Sequence, residues 1–89
     1  MLTVYSKTVC PYCVNAKNFL KSKNIPFKEV NIEQDPDARN FILSEGHRSV
    51  PQIYFNGDLF VEGGFQGLSK LSEDEIRSRM NLTQTLGTL

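Results

Sequence analysis

At 89 residues the chain has enough material for one domain with a single core, and too little for two. Ten basic and ten acidic residues cancel, which argues against a nucleic-acid surface or a polybasic membrane patch. No apolar run reaches bilayer length, and no charged n-region with an apolar h-region precedes the first strand pattern, so a reducing cytoplasmic setting is expected.

Leu2-Thr3-Val4-Tyr5 alternates as a strand does, with Leu2 and Val4 sharing a face. Residues 6–9 form an approach loop. The first helix is expected from Pro11 to about Lys23, with Ala16, Phe19, Leu20 and Lys23 along its inner edge. Asn24-Ile25-Pro26 ends it, because the residue before a proline avoids the helical region.

At the junction of this strand and helix stands Cys10-Pro11-Tyr12-Cys13. Two cysteines two residues apart at a strand-to-helix turn read as a thiol–disulfide redox pair. A helix starting at Pro11 leaves Cys10 at its N-cap, beside unpaired N–H groups and the positive end of the helix dipole. That setting favours the nucleophilic thiolate. Cys13 lies about one turn on, within reach of Cys10. A zinc reading needs four ligands, and after the two cysteines only His47 is a strong candidate, so no metal is assigned. Simple burial of two small apolar residues is the bland alternative. His47 itself reads as a loop histidine without chemistry.

Phe27 to Ile32 is the expected second strand. Asp35-Pro36 marks a helix start, with Asp35 as N-cap and Asp37 complementing the dipole. Ala38, Phe41 and Ile42 supply its buried stripe, and Gly46 its stop. Strand, helix, strand implies a parallel pair joined by a crossover. Gln52 to Phe55 and Leu59 to Val61 flank Asn56-Gly57, a hairpin signal. Gly63-Gly64 breaks the pattern, and Phe65, Leu68 and Leu71 begin another helix. Ser72-Glu73-Asp74-Glu75 reads as a capping box that restarts a helix through Ile76 and Met80. The domain is expected over residues 1–80, with a frayed tail over 81–89.

With these elements in place the chain resembles a glutaredoxin. Lys7, Cys10-Pro11-Tyr12-Cys13, Ser49-Val50-Pro51 and Gly63-Gly64 match the family in order and spacing. The resemblance implies an α/β, thioredoxin-like fold, β-α-β-α-β-β-α, with a four-stranded mixed sheet and helices on both faces. It also implies glutathione as reductant and co-substrate, with no tightly bound cofactor. Pro51 matches the family's cis-proline, which leaves the Val50 backbone open to pair with an extended peptide. Lys7 matches the lysine that meets the glycyl carboxylate. Tyr12 matches the groove-lining tyrosine, and Arg48 supports the carboxylate end. Gly64 opens the helix whose first N–H groups, at Phe65 and Gln66, would receive the γ-glutamyl carboxylate.

The chain departs from the family where aspartates usually follow the two glycines. Here Phe65-Gln66-Gly67 stands, and Gln66 carries no charge for the ligand's ammonium. At a family position for a basic or amide side chain stands Ala38, with Arg39 adjacent. The resemblance implies a monomer acting on disulfide-containing or glutathionylated proteins, with ribonucleotide reductase a common family client. Two other functions stand beside this one: a redoxin reduced by thioredoxin reductase, and an iron–sulfur module shared by two chains.

Overall fold

A computed structural model describes residues 1–88, with side chains through Asn81. The elements follow in the order β1 (Leu2–Ser6), α1 (Pro11–Ser22), β2 (Phe27–Asn31), α2 (Pro36–Ser44), β3 (Gln52–Phe55), β4 (Asp58–Leu59), α3 (Gly64–Ser69) and α4 (Glu73–Thr88). The four strands form one sheet in the order β2-β1-β3-β4. β1 runs parallel to β2, Leu2 opposite Phe27, and antiparallel to β3, Leu2 opposite Phe55 and Tyr5 opposite Gln52. β4 pairs antiparallel with β3. The mixed sheet matches the architecture that the family resemblance implied.

Strand alternation sorts the side chains into two layers. Leu2, Val4, Ile53 and Phe55 point to one face, where they are buried with Ala16 and Leu20 of α1, Leu68 of α3 and Ile76 of α4. On the opposite face Tyr5, Phe41 and Tyr54 form an aromatic cluster with ring centroids 5.2 to 5.7 Å apart, tilted or edge-on to one another. α2 covers this side and buries Ile42. Helices therefore lie on both faces.

The caps follow from the residues named above. The Asp35 carboxylate accepts the Ala38 N–H at 3.1 Å, with Pro36 in the first helical position. Ser72 Oγ accepts the Glu75 N–H at 3.1 Å, and Glu75 Oε1 accepts the Ser72 N–H at 3.3 Å, which is the reciprocal capping box. Asn56 and Gly57 have φ of 53° and 87°, the pair of positive values that a type I′ hairpin turn requires.

Three boundaries differ from expectation. β2 ends at Asn31 rather than Ile32, because Asn31 Oδ1 accepts the Glu33 N–H at 2.8 Å and turns the chain. β4 is limited to Asp58–Leu59; the Phe60 N–H still reaches the Ile53 carbonyl, after which Val61 turns into the core. α4 continues helical to Thr88, past the expected end near Met80, through a stretch with no proline to stop it. Leu89, the last residue of the expected tail, lies outside the described residues. No helix among the described residues is long and apolar enough to cross a membrane.

Candidate active site

β1 delivers the chain to Cys10, whose extended backbone (φ −152°, ψ 93°) makes it the N-cap of α1. Its sulfur accepts the Cys13 N–H at 3.1 Å, the bond a capping serine oxygen would make. Cys10 and Cys13 are joined as a disulfide with Cα atoms 5.2 Å apart, so the pair is in its oxidised state. The two sulfurs differ in access. Cys13 is 1% exposed and Cys10 8%, while Val9 and Tyr12 beside Cys10 stand 78% and 56% open to solvent. An incoming group meets Cys10 first. Once the pair is reduced, the Cys13 N–H and the helix dipole both favour negative charge on the Cys10 sulfur.

The wall facing Cys10 comes from the start of β3. The Val50–Pro51 peptide is cis, and the Val50 carbonyl oxygen lies 3.8 Å from Cys10 Sγ. The ladder to β1 begins at Gln52, so Val50 lies beyond it. Behind Pro51 the chain returns at Gly64, where φ is +58° and a Cβ would fall 2.6 Å from the Pro51 carbonyl oxygen. Only glycine fits both constraints. Gly67 is constrained by space alone, since a Cβ there would overlap the Glu62 carbonyl oxygen.

Between these walls runs a groove of about 570 Å³. It is lined by six of the residues singled out from the sequence: Tyr12, Val50, Pro51, Gly64, Phe65 and Gln66. Tyr12 and Phe65 form one side with ring centroids 6.4 Å apart, and Phe19 braces Phe65 edge-on at 6.3 Å. Lys7 and Arg48 line a second basin of about 200 Å³, together with Arg39. His47, Ser49 and Val50 border both hollows. All eight expected ligand-site residues thus border hollows that meet at Val50, in two groups. The loop carrying Lys7 is tied down by the Thr8 N–H, which donates to Glu33 Oε1 at 2.6 Å. That bond, aided by the nearby charges of Lys7 and Arg39, holds the Glu33 carboxyl below its ordinary range.

Of the groove's titratable side chains, sequence reasoning missed Glu45, His47 and Glu62. His47 lies 2.7 Å from the Tyr54 hydroxyl, which donates to Glu45 Oε1 at 3.1 Å. The hydroxyl's single proton goes to the carboxylate, so His47 Nε2 is the donor in the other bond. Burial first, then Glu45, pushes the Tyr54 hydroxyl up to about 12. The adjacency of Glu62 to Gly63-Gly64 was a usable signal; the pairing of His47 with Tyr54 depends on tertiary packing and left none. Among the described residues no three His, Cys, Asp or Glu side chains converge as a metal site.

A family model described as Glutaredoxin matches residues 2–60. The chain belongs to the glutaredoxin family. Membership carries thiol–disulfide exchange as the activity, and the Cys10–Cys13 pair is the dithiol form of its centre. Among relatives of this glutaredoxin, an uncharacterized glutaredoxin-like 8.6 kDa protein in the rubredoxin operon of Clostridium pasteurianum is 38% identical over 74 residues, spanning 82% of this chain and 99% of its own. The glutaredoxin-like protein NrdH of Lactococcus lactis is 36% identical over 66 residues, or 74% of this chain and 89% of the relative. A buckwheat glutaredoxin–glutathione complex shares the fold, with a TM-score of 0.70 over 90% of this chain and 76% of that one at 22% identity.

Proposed function

We propose that this glutaredoxin draws its electrons from glutathione and reduces protein disulfides and glutathione mixed disulfides. One observation carries the reading: the Val50 carbonyl stands 3.8 Å from Cys10 Sγ, and Val50 lines the groove of about 570 Å³. A cysteinyl backbone paired there would bring its sulfur to Cys10. Lys7, Arg48 and Arg39 would meet the carboxylate at one end of glutathione, and the N–H groups of Phe65 and Gln66 the carboxylate at the other.

The Cys10 thiolate attacks one sulfur of a protein disulfide, forming a mixed disulfide and releasing the other sulfur as thiolate. Cys13 then attacks Cys10, frees the substrate's second sulfur and leaves the chain oxidised. One glutathione opens Cys10–Cys13 by taking up Cys10, and a second removes the first as glutathione disulfide. Two electrons pass from two glutathiones to the substrate. On a glutathionylated protein, Cys10 alone suffices. A reducing cytosol suits this chemistry. The chain acts as a monomer, with ribonucleotide reductase among the clients for such a donor.

Phe65-Gln66-Gly67 favours a second reading, in which thioredoxin reductase supplies the electrons. Neither Gln66 nor its neighbours in this run carries the charge that would hold glutathione's ammonium. The kinship to a protein named NrdH supports the same alternative. Reduction of a protein disulfide is to be measured with NADPH, glutathione and glutathione reductase, and in parallel with NADPH and thioredoxin reductase. Turnover through glutathione is expected. Turnover only through thioredoxin reductase would overturn the glutathione reading and establish the other.

A further inference from the structure

The Tyr54 hydroxyl is a fixed point that the exchange chemistry leaves unused. β3 holds the Tyr54 backbone opposite Thr3 of β1, and the Tyr5 and Phe41 rings meet its ring edge-on at 5.5 and 5.2 Å. Two residues hang on that hydroxyl. Glu45, the C-cap of α2, accepts its proton at 3.1 Å, and His47 Nε2 donates to it at 2.7 Å. The His47 backbone N–H is tied as well, to the Ile42 carbonyl at 3.1 Å. A second fastening lies further along the chain. Gln52, paired with Tyr5 in the ladder, donates from Nε2 to the Ser49 carbonyl at 2.9 Å. Residues 48–51 run between the two fastenings, and among them is Val50, whose carbonyl faces Cys10 Sγ at 3.8 Å.

We infer that Tyr54 and His47 are positioning residues for the exchange step: their hydrogen bond holds the Val50 carbonyl against the Cys10 sulfur. In the disulfide Cys10 has no proton to give, and the carbonyl simply faces its sulfur. On reduction the same carbonyl accepts from the Cys10 S–H, which favours the neutral thiol. The Cys13 N–H and the helix dipole pull the other way, toward the thiolate. Distance sets the balance, because the carbonyl's opposition weakens as it moves off. A slack 48–51 segment would let the carbonyl drift and make Cys10 more acidic. That carries a kinetic penalty, since nucleophilicity falls with pKa and the best attacking thiol titrates near ambient pH. The clamp thus checks the acidity that the helix end confers, whichever reductant supplies the electrons.

The test follows alkylation of reduced protein by iodoacetamide over a range of pH, with modification at Cys10 read by mass. Glu45, His47 and Tyr5 are the titratable side chains facing the Tyr54 hydroxyl, and Tyr54→Phe leaves all three in place. Lys7 and Tyr12, which flank Cys10 in the chain, are unchanged in every variant. Tyr54→Phe and His47→Ala are each expected to lower the midpoint by roughly 0.4 pH unit, or about 2.5-fold more thiolate below it. The double variant should move no further than either alone, since both cut one clamp. His47→Gln, whose amide N–H replaces the Nε2 donor, should keep the original midpoint. Loss of an imidazolium charge by itself would raise the midpoint, so the sign separates the clamp from simple electrostatics. An unmoved or raised midpoint in either single variant, additive shifts in the double variant, or a shifted His47→Gln would overturn the inference. So would a lowered urea midpoint beside an unmoved alkylation profile, which would make the network structural alone. Each of these outcomes leaves the exchange chemistry and the choice of reductant standing.

Discussion

Cys10 and Cys13 share a disulfide yet occupy different environments, and their substitution should separate two activities. Cys10→Ser is expected to abolish reduction of protein disulfides and of glutathionylated protein alike, because the reachable sulfur is lost. Cys13→Ser should remove most dithiol reduction and spare deglutathionylation. Assaying each variant on both substrates checks this, and equal losses from the two variants would contradict the division of labour. Gly64 is the second sensitive position. Gly64→Ala places a methyl against the Pro51 carbonyl at a positive φ, at an expected cost of roughly 1–3 kcal/mol. A lower urea midpoint at unchanged slope would record that cost. At this scale the cysteine pair was legible as a local signal, while the places of Pro51 and Gly64 at the site were legible only through the family resemblance. Glu45 and His47 were not. What brings them into the groove is contact with Tyr54 across the fold, and nothing in their immediate neighbours announces it.

Among the elements, α4 tests how much a cap matters. Its Ile76 is buried against the core, and the Ser72–Glu75 box sets where the helix begins. Ser72→Ala is expected to cost about 1 kcal/mol, read as a lowered unfolding midpoint, with little effect on disulfide exchange. Arg77 adds a tether, donating to the Lys23 and Asn24 carbonyls at the end of α1. Most elements were readable in the sequence because helix starts carry side-chain signals and the hairpin carries Asn56-Gly57. The shortness of β4 was not readable. It depends on Val61 leaving the sheet for the core, a choice made by packing rather than by the alternation of Leu59 to Val61.

Across the whole molecule, stability should respond to pH at both extremes, for opposite reasons. Burial keeps the Tyr54 hydroxyl protonated to about 12 against an ordinary 10.0. The stability from its neutral form is full below pH 10 and is lost as pH rises toward 12. Denaturation midpoints taken across that window should fall in the unsubstituted protein and fall less in Tyr54→Phe. At the acid end, the Lys17 ammonium and the Ser6 hydroxyl hold the Glu29 carboxyl below its usual value. The stability this lends is present above the unfolded value of 4.5 and drains away as pH falls through the folded one.

Because β1 and β3 run in opposite directions, the exit of one and the entrance of the other fall at the same end of the sheet, and Cys10 and Val50 meet there. Strand register therefore meters the gap across which sulfur must travel. Deleting one residue inside β3 would shift its start about 3.4 Å along β1 and reverse the facing of every side chain upstream of the cut. Adding one residue to the 47–49 loop would leave that ruler untouched.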